Sequence, residues 1–280
     1  MAVLGIIAGG GELPLAVAEA VRQEGREVFI LALSGAADKA VEQYSHAWNS
    51  LGEVGRAMQV LRNHGVEEVL LAGKVARPRF NEVKLDFKGV RVLPRVLAAA
   101  RRGDDALLKC MVELFEDEGF RAIGVAEAAP SLLMGPGALG RHTPSENDLA
   151  DIRVAVDVVR LMGTLDIGQA AAVCDGLVLA VEAAEGTDRM IERVTSLPTA
   201  IRGVPGKPRG VLVKAPKPQQ DGKTDLPVIG TQTVANAAAA GLAGIAVEAR
   251  RTLILGRQEV CAAADRAGLF VYGFLRDAGS

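Results

Sequence analysis

Histidine and cysteine are scarce in this chain, three of each, and their placement argues against two kinds of chemistry. Cys110, Cys174 and Cys261 lie far apart, are odd in number, and make neither a paired-cysteine framework nor a Cys/His zinc spacing. They read as reduced, mostly buried thiols, which suits the cytoplasm. His46, His64 and His142 are scattered without metal-ligand spacing, and no Gly-x-Ser-x-Gly elbow occurs. A zinc enzyme and a serine hydrolase are therefore disfavoured, and carboxylates, lysines and arginines are left as the reactive inventory.

A long hydrophobic run is also missing. The start, MAVLGIIAGGG, has no basic leader and no continuous apolar stretch, so it reads as a buried first strand and not as a signal or a membrane span. Charge of one sign is missing too: 32 Lys and Arg stand against 34 Asp and Glu, a formal charge of -2, so no global basic field exists to capture nucleic acid. Any anion site must be local. What the 280 residues do contain is 49% hydrophobic and 24% charged side chains, the balance of a globular protein, at a length that favours two domains.

Strand and helix patterns alternate with short links. Residues 3–8, 28–33 and 68–72 read as strands, 13–23 and 54–63 as helices, and 94–119 as mostly helical with a break at Gly103. Alternation of this kind predicts a parallel sheet covered on both faces. Gly135, Pro136, Gly137, Gly140 and Pro144 mark a loop or linker. The segment 148–161 then starts a second helical and stranded series. The expected fold class is α/β with two domains: a Rossmann-like parallel sheet over 1–130, a linker over 131–147, and a C-terminal α/β catalytic domain over 148–280.

Several motifs sit where strands hand over to helices or loops. Gly9-Gly10-Gly11 before Pro14 lets backbone N–H groups converge at a helix start, where a phosphate could sit. A P-loop is excluded because the Lys-Ser/Thr ending is absent, and a dinucleotide fingerprint is poor because Pro14 takes its third position. Lys74 and Arg77 follow the third strand and could clamp phosphate oxygens, or form a solvated basic loop. In the second half, Glu182, Glu185, Gly186, Thr187, Asp188 and Arg189 offer oxygen ligands and a helix start, or a plain helix cap with solvated glutamates. Lys214 and Lys217 are delivered by a buried strand into a Pro-bounded loop, and Asp225, just ahead of Leu226-Pro227, is held extended.

The stretches LGIIAGGGELP, LAGKVARP, GDDALL, VEAAEGTDRMI and VLVKAPKP, with Asp225 opening DLPVIG, are similar to those of the UDP-2,3-diacylglucosamine pyrophosphatases of lipid A biosynthesis, the LpxI family. The resemblance spans nearly the whole chain. It implies two α/β domains with a lipid-linked nucleotide sugar held between them, cut to UMP and 2,3-diacylglucosamine 1-phosphate by water attacking the α-phosphorus. It also implies a divalent ion, usually magnesium, and no organic cofactor. Carried onto this chain, Asp225 is the first choice for a catalytic or metal-bound carboxylate, with Glu185 as a second metal ligand and Lys214 and Lys217 neutralising phosphate charge. Gly10, Gly11, Lys74, Glu182, Gly186, Thr187, Asp188 and Arg189 become substrate-binding residues. The accompanying expectations are a cytoplasmic protein with transient contact at the inner membrane surface, a homodimer, and no nucleic-acid partner. An NAD-linked oxidoreductase and a non-catalytic binder of nucleotide or acylated sugars stand as the alternatives.

Overall fold

A computed structural model describes residues 2–76, 83–217 and 226–276, and the chain divides into two compact units, Met1–Ser131 and Leu132–Ser280. In the first unit the elements are Val3–Ala8 (β1), Leu13–Gln23 (α1), Val28–Leu33 (β2), His46–Asn49 (β3), Val54–Asn63 (α2), Val66–Ala72 (β4), Phe87–Ala100 (α3), Asp104–Glu116 (α4), Arg121–Ala122 (β5) and Val125–Ala128 (α5). The strands form one parallel sheet in the order β3-β2-β1-β4-β5, as the Rossmann-like reading expected. Every residue of β2 is buried because both faces of the sheet are covered. One face packs Ile7, Phe29 and Leu31 against Ala57, Met58 and Leu61 of α2 and Phe115 of α4. Strand order reverses between β1 and β4, so their carboxyl ends open onto a switch point, the usual ligand position in such sheets.

Two features depart from the sequence reading. Helix α3 begins at Phe87, seven residues before Pro94, because extended Asp86 caps it: its Oδ1 accepts the Gly89 N–H at 2.7 Å. Pro94 then lies inside the helix on its exposed side, where the lost backbone bond is tolerated. Strand β3 carries His46, Trp48 and Asn49, a composition without the apolar alternation that marks strands.

The second unit comprises Gly137–Leu139 (β6), Glu146–Thr164 (α6), Ala170–Cys174 (β7), Leu177–Val181 (β8), Gly186–Thr195 (α7), Val211–Lys214 (β9), Val228–Ile229 (β10), Thr231–Ala239 (α8), Gly244–Glu248 (β11), Leu253–Ile254 (β12), Arg257–Ala267 (α9) and Phe270–Phe274 (β13). Its main sheet runs β6-β13-β11-β9-β7-β8. Strands β9, β11 and β13 are parallel, while β7 runs against β9, β8 against β7 and β6 against β13. Alternate residues face two cores: Ala172, Leu212, Ile245 and Val271 meet α7, α8 and α9, and Ala171, Val173, Val211 and Val213 meet α6.

The segment expected to be a linker is structured at its centre. Strand β6 pairs through Gly137, Ala138 and Leu139 with β13, and Leu133 bridges Leu253. Its glycines and prolines mark bends at a sheet edge and not a free tether.

Candidate functional site

At the switch point of the first unit, every glycine N–H after β1 already has a protein acceptor. Gly9 donates to the Ala72 carbonyl at 2.8 Å, and Gly10 and Lys74 exchange backbone bonds of 2.8 Å each. Gly11, at φ +91°, donates to Asp38 Oδ2 at 3.0 Å. The glycines are required by crowding as well: a Cβ on Gly9 would lie 2.6 Å from the Lys74 oxygen, and one on Gly10 would lie 2.7 Å from the Ala36 oxygen. The turn is thus a close junction of three strand ends in which the Asp38 carboxylate takes the place an incoming anion would use. The side chain of Lys74 is exposed beside it. Arg77 lies outside the described residues.

The second unit gathers more of the expected residues. Because β9 and β11 run parallel and β7 and β8 form an antiparallel hairpin beside them, Lys214, Gln169 and Glu182 arrive at one sheet edge. Lys214 closes β9, is only 9% exposed, and donates from Nζ to the Val228 carbonyl at 3.2 Å. Glu182 follows β8 and is 8% exposed. Its Oε1 accepts from the Thr187 hydroxyl at 3.1 Å and its Oε2 from the Gln169 N–H at 3.4 Å. Gly168 permits this approach, since a Cβ there would stand 2.1 Å from the Glu182 carbonyl oxygen. Lys217 forms a 2.5 Å ion pair with Asp166.

Helix α7 starts at the same edge. Gly186, at φ +79°, turns the chain into it, and Asp188 Oδ1 accepts from Asn236 Nδ2 of α8 at 2.8 Å. Glu185 is engaged elsewhere: Arg193 Nη2 reaches its Oε1 at 2.6 Å and also the Val181 carbonyl at 2.7 Å. Arg189 lies on the exposed face of α7 among Glu185, Glu192, Arg193 and Ser196. Asp225 lies outside the described residues.

Sequence reasoning missed Gln169, Asp166 and Asn236. Gln169 is the most informative of them, because its Oε1 is buried with no hydrogen-bond partner among the described residues. Such an orphan acceptor is costly unless something fills its lone pairs. With the Glu182 carboxylate beside it, the available donors are hard oxygens, which suit magnesium. Among the described residues no three His, Cys, Asp or Glu side chains form a ready metal cluster. A cation at Glu185 would first have to displace Arg193.

The match to known proteins covers both units. Residues 3–132 match the model described as the LpxI N-terminal domain and residues 135–272 the LpxI C-terminal domain. The chain belongs to the LpxI family. A relative from Caulobacter vibrioides, named UDP-2,3-diacylglucosamine pyrophosphatase LpxI, is 48% identical over 270 residues, covering 96% of each chain. A solved structure titled CobK precorrin-6A reductase aligns over 99% of this chain and 89% of its own, at 13% identity and a TM-score of 0.31, too loose a likeness to bear on an LpxI-type site.

Proposed function

We propose that this chain hydrolyses the pyrophosphate of UDP-2,3-diacylglucosamine to UMP and 2,3-diacylglucosamine 1-phosphate, a step of lipid A biosynthesis. The observation that carries the reading is the 48% identity, sustained over 96% of both chains, with a protein of that name. The edge built by β7, β8 and β9 supports it, because it joins a buried lysine, a buried carboxylate and a helix start in one place. Pyrophosphate cleavage needs charge neutralised on non-bridging oxygens and a water held in line.

In this reading Lys214 and Lys217 bear on the diphosphate, and Thr187 holds the Glu182 carboxylate in one orientation. Arg189 and the N-terminal turn of α7, with Gly186 and Asp188, provide further substrate contacts, as do Gly10, Gly11 and Lys74 in the first unit. Water attacks the α-phosphorus; the new P–O bond forms as the bond to the bridging oxygen breaks, and that oxygen leaves with the sugar phosphate. Asp225 takes the proton of the attacking water or serves the cation. Glu182, Gln169 and Asp225 would hold magnesium, with Glu185 a ligand only after release from Arg193. When bound, the ion would add positive charge beside the phosphates.

The substrate's acyl chains imply contact with a bilayer surface in the cytoplasm. The outer side of α3 supports this, with Phe87 81% exposed and Val90 56% exposed beside Arg91. A homodimer completes the reading, on the general prevalence of twofold pairs. The test is release of UMP with and without magnesium, by wild type and by Asp225→Ala. Metal-dependent release that the substitution abolishes is the expected result. Intact bound substrate with no release by wild type would overturn the reading.

A further inference from the structure

The first unit contains an apolar cavity of about 370 Å³ that its own folding leaves unfilled. Its floor is the sheet face at Ile7, Leu31 and Leu71, and its walls are α2, α3 and α4. The apolar side chains of α3 and α4 that face it, Val92, Leu93, Val96, Leu107, Leu108 and Met111, are only half-buried. These helices are amphipathic, so their inward residues have the composition of a core without the close packing of one. Empty space of this size forfeits dispersion contacts and destabilises a fold. An apolar cavity also excludes water and accepts an apolar guest.

Its rim joins the glycine junction. Gly73, Val75 and Ala76 line the mouth, and Gly73 packs so closely on the junction that a Cβ would stand 2.7 Å from the Gly10 oxygen. Lys74, between Gly73 and Val75, therefore places a cation at the mouth of an otherwise aliphatic chamber. Asp86 fixes the wall: besides capping α3 it accepts the Arg56 N–H of α2 at 3.0 Å, tying the two helices together at the entrance. The volume lies in the range of about 300–1,000 Å³ typical of small-molecule pockets, and few polar groups besides Asn49 and Ser50 line it.

We infer that this cavity is a binding site for a fatty acyl chain, entered past Gly73 with the anionic head of the lipid held near Lys74. The inference rests on the proposed acylated substrate for the identity of the guest, and on the cavity alone for its chemical class. It makes α3 and α4 the elements that set chain length, with Met111 and Val96 as the measuring residues. Each methylene that enters should tighten binding about fourfold until the chamber is full.

The test uses the full-length protein and two probes: cis-parinaric acid, a fluorescent fatty acid without sugar or nucleotide, and 2,3-diacylglucosamine 1-phosphates of graded chain length. Met111→Trp should fill the chamber and weaken parinarate binding at least tenfold with no fall in Tm. Val96→Ala should enlarge it and move the affinity plateau to longer chains. Parinarate affinity equal in wild type and Met111→Trp, both folded, would overturn the inference, as would affinity for the sugar phosphates indifferent to chain length. Saturable parinarate binding lost in Met111→Trp, without any UMP release by wild type, would uphold the cavity while removing the hydrolase reading.

Discussion

Asp151 offers the sharpest quantitative test of how the site edge is held. It is 5% exposed on α6, and its two carboxylate oxygens accept the backbone N–H groups of Asp175 at 2.9 Å and Gly176 at 2.7 Å. Those residues form the turn between β7 and β8, with φ values of 49° and 77° that a two-residue hairpin of the primed type requires. The hairpin brings Gln169 and Glu182 to the opposite edge, and β8 has no strand beyond it. Hydrogen bonds to a charged group are each worth about 1.5–3 kcal/mol, and Asp151→Ala removes two. Water can reach the turn and recover part of that loss, so the expected cost is about 3 kcal/mol. For a unit of this size that lowers Tm by about 6–12 °C. Asp151→Asn keeps one acceptor and turns a donor towards the second N–H, so it should recover at most half. Chemical denaturation followed by far-UV circular dichroism measures both. A loss below about 0.5 kcal/mol for Asp151→Ala would show that the anchor does not hold the hairpin.

Three further outcomes are expected. Gly73→Ala should destabilise the first unit by about 1–3 kcal/mol, because φ is +92° and the new Cβ meets the Gly10 oxygen; thermal unfolding checks it. Burial alone would raise the Asp86 carboxyl, but N–H donors from Gly89, Arg56, Gly55 and Lys88 outweigh it and hold it below the ordinary value. Its stabilisation is therefore full above the unfolded carboxyl value of about 3.9 and lost as pH falls through the folded one, so wild type and Asp86→Asn should differ at neutral pH and converge in acid titrations. Burial, then the neighbouring Asp175 carboxylate, pushes the Cys174 thiol up to about 11, so mass spectrometry should find it alkylated at least about tenfold more slowly than Cys261 at mildly alkaline pH.

The parts of the fold legible in the sequence are those where local signals agreed with burial. Strands such as VFILAL and the helix over Leu13–Gln23 carry apolar runs or periodicity that burial on a sheet face demands. Strand β7, by contrast, begins Ala170-Ala171-Ala172, which has helical propensity and becomes a strand because it is buried between β8 and β9. Missing β7 also hid Gln169, whose importance comes from being next to Glu182 across the hairpin. The motif around Glu182 and Thr187 was visible as a row of polar residues at a strand end. Which carboxylate is buried and which is spent on Arg193 depends on side-chain partners 5 and 8 residues away, beyond any motif. Asp38 illustrates the same limit: it lies 27 residues from Gly11, yet its carboxylate occupies the glycine turn.

The measurement that bears most directly on the central claim is hydrolysis of UDP-2,3-diacylglucosamine in ¹⁸O-labelled water with magnesium, with both products analysed by mass spectrometry. The account predicts release of UMP carrying the label and of unlabelled 2,3-diacylglucosamine 1-phosphate. Label in the sugar phosphate would place the attack on the other phosphorus, and substrate recovered uncleaved would contradict the assignment of hydrolysis itself.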